Sequence, residues 1–160
     1  MLVLSWNVRG LGRGEKCRAV KNLVTLHNPT ILFIQESKLR LFNDQVVRSL
    51  GGLVLAKDVG VEAIGSTGGL ISLWNANLFK VIACISNQNC VSLAGELVSL
   101  NKKVVFCNVY ASNVECDRKA LWDCIIEAQV SLPKLWCIGG DFNAILVSTE
   151  RRWGSTILGL

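Results

Sequence analysis

Five polar residues stand at the ends of apolar runs in this sequence: Asn7 after LVLSW, Glu36 after ILFIQ, Tyr110 after VVFCNV, Asp141 after LWCIGG, and Asn143 two residues further on. A carboxylate in such a place is costly to bury unless it is paired or binds a cation. Two carboxylates and two carboxamides, with no cluster of soft ligands, suit a hard ion such as Mg2+ or Mn2+. Mg2+ takes one or two carboxylates and keeps waters for a substrate phosphate. Each residue alone has a plainer reading: Asn7 and Asn143 as turn residues, Glu36 as an anion at a helix start, Tyr110 as a half-buried strand aromatic. It is the set, in this order along the chain, that favours chemistry.

These residues need elements to hold them. MLVLSWNV reads as a buried strand feeding a loop at Gly10 and Gly12. From Glu15 to His27, the spacing of Val20, Leu23, Val24 and His27 predicts an amphipathic helix, and NPT stops it. TILFIQE is a second buried strand, so residues up to Glu36 form a βαβ-type unit with both strand ends at one rim. NDQVVRSLGG predicts a short helix with Asn43 as N-cap and Gly51 as stop. Strands are expected at GGLVLA, GGLISLW, FKVIACIS, CVSLAGELVSL and KKVVFCNVY, with a hairpin turning at Asn101-Lys102-Lys103. A last helix, Asp117 to Val130, would bury Ala120, Leu121, Cys124, Ile125 and Ala128. A closing strand at Leu135–Ile138 then delivers Asp141.

The totals fit one domain. Of 160 residues, 51% are hydrophobic and 18% charged, with a mean hydropathy of +0.40. That composition points to many fully buried strands, yet no apolar run reaches the roughly 20 residues of a membrane span. The start lacks the basic and apolar regions of a signal peptide. Seven cysteines, none in C-x-x-C spacing, and one histidine argue against a zinc site or a disulfide framework. They read instead as small buried thiols in a reducing compartment. His27 reads as a helix-end residue.

Net charge is +5 and uneven. Between residues 9 and 21, Arg9, Arg13, Lys16, Arg18 and Lys21 face the single acid Glu15. Composition alone makes this a solvated helix face, whereas its place after the first strand suits a phosphate-facing patch.

The ordered motifs LSWNVRGLG, NPTILFIQESKL, GGLISLWN, VVFCNVYAS and LWCIGGDFNAIL, with ERR after the last, resemble the endonuclease/exonuclease/phosphatase superfamily. More closely, they resemble the N-terminal endonuclease domain of plant LINE-type non-LTR retrotransposons. The resemblance implies an α/β protein with the DNase I-like four-layer α/β sandwich, residues 1–160 forming a partial domain. It also implies roles: Glu36 ligating a divalent metal with Asn7 beside it, Asp141 orienting the attacking water, Asn143 bonding the scissile phosphate, and Tyr110 touching a phosphate oxygen. Arg9, Arg13 and Lys16 would contact nucleic acid. DNA would be the partner, with a downstream reverse transcriptase domain beyond this chain and an intracellular, nuclear setting.

The sequence departs from the family after GDFN, where an Asp-His pair is expected and none is found. The family packs two sheets face to face with GDFN opening the second half. Residues 1–138 are therefore expected to supply most of one sheet and the remainder to be too short for the other, so the domain reads as first half present and second half largely missing. A truncated copy of this kind is expected to be a poor enzyme with an exposed apolar sheet face. Two further readings stay open: a catalytically inactive remnant with at most weak nucleic-acid binding, and a phosphatase or lipid phosphodiesterase on the same fold.

Overall fold

Apolar runs bounded by turn residues become strands, the central ones of each sheet buried on both faces and the edge strands only in part, and helices close over the outer sides. The computed structural model describes residues 1–12, 14–40 and 43–144. In chain order these form β1 (Val3–Asn7), α1 (Gly14–His27), β2 (Ile31–Gln35), α2 (Asp44–Gly51), β3 (Lys57–Val61) and β4 (Leu70–Trp74). There follow β5 (Phe79–Ser86), β6 (Cys90–Leu97), β7 (Lys102–Tyr110), α3 (Glu115–Ser131) and β8 (Trp136–Asp141).

The strands make two four-stranded sheets, ordered β1-β2-β4-β3 and β5-β6-β7-β8. This corrects the expectation that residues 1–138 build most of a single sheet. The chain changes layer at Asn75–Leu78, where Asn75 O accepts from the amides of Leu78 and Phe79. Strand patterning cannot reveal such a switch, because both sheets demand the same alternation of buried side chains.

Alternation does decide which layer each side chain enters. Ile31 and Phe33 of β2 meet Phe79, Val91, Leu93, Val104 and Phe106 between the sheets, with Phe79 edge-on to Phe106 at 4.9 Å. Leu32 and Ile34 point the other way, into a cluster with Val20 and Val24 of α1 and Val47 and Leu50 of α2. Cys107 and Val109 of β7 pack outward against Leu121 and Ile125 of α3. The result is helix, sheet, sheet, helix: four layers, as the resemblance implied.

The predicted elements hold with local exceptions. β1 and β2 are parallel, as the βαβ reading requires, and Asn43 Oδ1 caps α2 by accepting from Val46 N at 3.1 Å. GGLVLA is not a strand: Gly51 ends α2 inside the helix, Gly52 is the left-handed cap, and the chain turns through Leu53 and Val54 before β3. The β6–β7 hairpin turns at residues 98–101, pairing Leu97 with Lys102, so both lysines belong to the strand. Both amphipathic stripes are narrower than expected: α1 buries Val20 and Val24 while Leu23 is exposed, and α3 buries only Leu121 and Ile125.

The buried-thiol expectation also needs correction. Cys90 and Cys107 are buried, but Cys84 on edge strand β5 and Cys116 and Cys124 on α3 are exposed, because α3 turns those positions outward. All seven thiols are free. Among the described residues, no helix is long and apolar enough to cross a membrane.

Candidate active site

Two parallel strand pairs, one from each sheet, end at the same rim. In β1 and β2, Asn7 is opposite Gln35; in β7 and β8, Tyr110 is opposite Asp141. Alternation places Asn7, Tyr110 and Asp141 on the inter-sheet side of their strands. Parity alone would turn Glu36 away, since it follows the inward Gln35. Its backbone instead takes the left-handed conformation (φ 50°), which re-aims the carboxylate.

The side chains then meet. Asn7 Nδ2 donates to Glu36 Oε1 at 2.9 Å and to Asp141 Oδ2 at 2.5 Å, bridging the two carboxylates across the sandwich. Asn7 Oδ1 accepts from Arg9 N at 3.1 Å, which sets the start of the following loop. Lys38 Nζ stands 3.5 Å from Glu36 Oε2. The Tyr110 pKa is pushed up from 10.0 by burial, then by the charges of Glu36 and Asp141, with a hydrogen bond to Glu36 adding to the effect. Its hydroxyl therefore stays a donor throughout the neutral range.

Backbone geometry holds this arrangement. Gly10 N donates to Glu36 O at 2.6 Å and Leu11 N to Ser37 O at 2.9 Å, tying the first loop to the second. Arg9, Glu36, Lys38 and Asn143 all have positive φ at this rim, and non-glycine residues are uncommon there. Gly140 (φ 147°) precedes Asp141 because any Cβ would collide with the Val109 carbonyl. Asn143 is fixed twice: its backbone N donates to Asp141 Oδ1 at 3.0 Å, and its Nδ2 donates to Ala111 O at 2.7 Å.

Solved structures share this architecture. Truncated TDP2 from Caenorhabditis elegans matches at TM-score 0.65 and 25% identity, covering 94% of this chain and 64% of that one. Zebrafish TDP2 complexed with single-strand DNA product matches at 0.65 and 14%, covering 89% and 60%. An endonuclease/exonuclease/phosphatase family protein from Bacteroides thetaiotaomicron matches at 0.64 and 15%, covering 88% and 62%. The chain has the DNase I-like fold of the endonuclease/exonuclease/phosphatase superfamily. It spans less than two thirds of the length of these three structures. No family model and no curated protein sequence matches it.

In this DNase I-like fold, the five residues singled out from sequence come to one rim. The nucleic-acid set is divided. Arg9 lines a cleft beside Asp141 and Asn143. Lys16 Nζ donates to Val8 O at 2.6 Å and Arg9 O at 2.9 Å, so it holds the loop that carries Arg9. Arg13 and the ERR segment lie outside the described residues.

The donor set fits a hard divalent cation: two carboxylates share one carboxamide bridge, and all their available donors to a metal are oxygens. Glu36 is 18% exposed on its side chain, leaving an oxygen within reach of solvent. For Asn7 to join as a ligand its amide must turn over, because the oxygen faces Arg9 N and the nitrogen faces the carboxylates.

Sequence reading missed what lies beneath. Buried Gln35 donates through Nε2 to Ser5 Oγ at 3.1 Å and to Asn108 Oδ1 at 2.6 Å. Asn108 Nδ2 in turn donates to Ile34 O, Ile71 O and Ser72 Oγ at 3.0–3.3 Å, pinning the two sheets under Glu36. The signal was present: each is a carboxamide at an inward position of an otherwise apolar strand. Arg118 was missed too; it lines the cleft with Arg9.

Proposed function

We propose that this chain is the metal-dependent phosphodiesterase part of a retroelement-derived endonuclease, acting on DNA. The observation that carries the reading is the Asn7 bridge between Glu36 and Asp141 at the shared rim of the two sheets. The superfamily fold supports hydrolase chemistry, and the ordered motif series supports the retroelement ancestry, with a reverse transcriptase domain as partner and a nuclear setting. One neighbour, zebrafish TDP2, is a complex with single-strand DNA product, in keeping with a nucleic-acid ligand.

Glu36, with the Asn7 carboxamide oxygen, would hold Mg2+ or Mn2+. Such an ion neutralises charge on the phosphate and the leaving oxygen. The chain's own groups do the rest. Asp141, bonded to the Asn7 amide, accepts a hydrogen bond from the attacking water and takes its proton as it attacks phosphorus in line. The Tyr110 hydroxyl donates to a non-bridging phosphate oxygen. Asn143 Nδ2 has one N–H engaged by Ala111 O and offers the other to the same phosphate.

A specific observation favours a second reading, the inactive remnant. Within these 160 residues the one histidine, His27, ends α1, far along the chain from the GDFN motif. Plasmid nicking decides between them, using this chain and a version extended by a complete second half, each with and without Glu36→Gln. Mg2+-dependent nicking by the extended chain, reduced by about 100-fold or more in Glu36→Gln, upholds the hydrolase. A folded but inert extended chain hands the protein to the remnant reading.

A further inference from the structure

The cleft beside the carboxylate pair extends away from it. Its walls are Arg9, Asn113, Arg118, Asp141, Phe142 and Asn143, and neither Glu36, Asn7 nor Tyr110 lines it. Whatever occupies it is thus adjacent to the group presented to Glu36, and not that group itself.

The two guanidiniums come from different elements. Arg9 belongs to the loop after β1 and is held by its backbone, through Asn7 Oδ1 and Lys16 Nζ. Its side chain makes no hydrogen bond to the protein among the described residues. Arg118 lies in the first turns of α3. Its Nη1 donates to Ser112 O at 3.1 Å and to Asn113 O at 2.8 Å, which fixes the plane of the guanidinium against the loop. Nη2 and Nε have no protein partner among the described residues.

Neither arginine is neutralised there. The nearby acid on α3, Asp117, is engaged by the Ser112 hydroxyl at 3.0 Å, and among the described residues no carboxylate pairs with Arg9 or Arg118. Asp141, the one acid in the cleft wall, is bonded to Asn7 and to the Asn143 backbone. A wall with two unpaired guanidiniums and one engaged carboxylate attracts an anion. A planar fork with its orientation already set matches a phosphate better than a point charge would.

We propose that Arg118, together with Arg9, forms a subsite for a second phosphate, the one flanking the phosphodiester at Glu36 and Asp141. The ligand is then a nucleic-acid strand and not an isolated phosphodiester. This rests on the hydrolase reading for the identity of the neighbouring group. Arg118 has a second task in the same place: it holds the Ser112–Asn113 turn, next to Ala111, whose carbonyl fixes Asn143.

The test compares two thymidine oligonucleotides, a dinucleotide with one phosphate and a trinucleotide with two. Binding is followed by NMR shift titration in EDTA, so that no hydrolysis is involved. Wild type is expected to prefer the trinucleotide by about tenfold, the worth of one charge-assisted hydrogen-bonded pair, and Arg118→Gln is expected to erase that preference. A wild type without preference overturns the proposal. So does a preference that survives Arg118→Gln, or a loss that falls equally on both ligands, which would mark Arg118 as a loop support only. Should Arg118→Gln fail to fold, Arg9→Gln gives the same reading, since its side chain makes no hydrogen bond to the protein among the described residues. A chain that shows the preference but never nicks DNA loses the hydrolase and keeps the subsite; one that nicks without the preference loses only the subsite.

Discussion

Asn7 and Asp141 lie 134 positions apart in sequence, yet the Asn7 amide nitrogen is 2.5 Å from Asp141 Oδ2. The same nitrogen reaches Glu36. Two carboxylates from opposite sheets are thus held by one neutral donor.

Replacing Asn7 with Ala should remove both bonds and leave the carboxylates facing each other. We expect a loss of about 1–2 kcal/mol in urea unfolding in chelator. Added Mg2+ should recover less stability in this variant than in wild type, because the Asn7 oxygen proposed to hold the ion is gone. An unchanged midpoint in chelator would show that the bridge contributes nothing to folding.

Asn108 joins the sheets from a fully buried position, serving Gln35, two backbone carbonyls and Ser72. Asn108→Leu should leave several of these without partners and cost about 2–3 kcal/mol. Gln35→Leu should cost less when Asn108 is already Leu than when it is present. A denaturant double-mutant cycle measures this, and simple additivity would contradict the network.

Tyr110 is the chain's one tyrosine, so tyrosinate absorbance reports it alone. Its pKa is raised above 10.0 by burial first and the nearby carboxylates second. Folding therefore favours the neutral phenol. The stability this gives is whole below the ordinary value and is lost as pH rises through the higher folded value. We expect an absorbance midpoint above that of free tyrosine, moved downward by Glu36→Gln. A midpoint at the free value would place the hydroxyl away from the carboxylates.

Thiol exposure gives a check on the outer layers. Cys84, Cys116 and Cys124 should react within seconds with a chromogenic disulfide reagent, whereas buried Cys90 and Cys107 should react only on unfolding. Rapid modification of Cys107 would mean that α3 does not cover β7 as described.

Much of this was legible in the residues. Apolar runs with polar exits marked Asn7, Glu36, Tyr110 and Asp141, because a strand that is buried to its last residue must release its polar group at a rim. The Asn43 cap and the parallel β1–β2 unit followed from local rules as well. The rest was hidden for physical reasons. Which sheet a strand joins depends on partners far along the chain, so the layer switch at Asn75–Leu78 left no periodic trace. Glu36 reaches the site through a left-handed backbone that nothing in its neighbours announces. GGLVLA has the composition of a strand, but α2 runs into it and a glycine cap turns it aside.

The Asn7–Asp141 bridge also sets a schedule. On the ribosome, at about 5–20 residues per second, Asn7 is made roughly 7–27 seconds before its distant partner, given their separation of 134 positions. Until β8 docks beside β7, Glu36 has an amide to bond with but no second carboxylate opposite. A nascent chain that can already form β1, α1 and β2 thus holds only half of the carboxylate pair, and the bridge closes when β8 arrives.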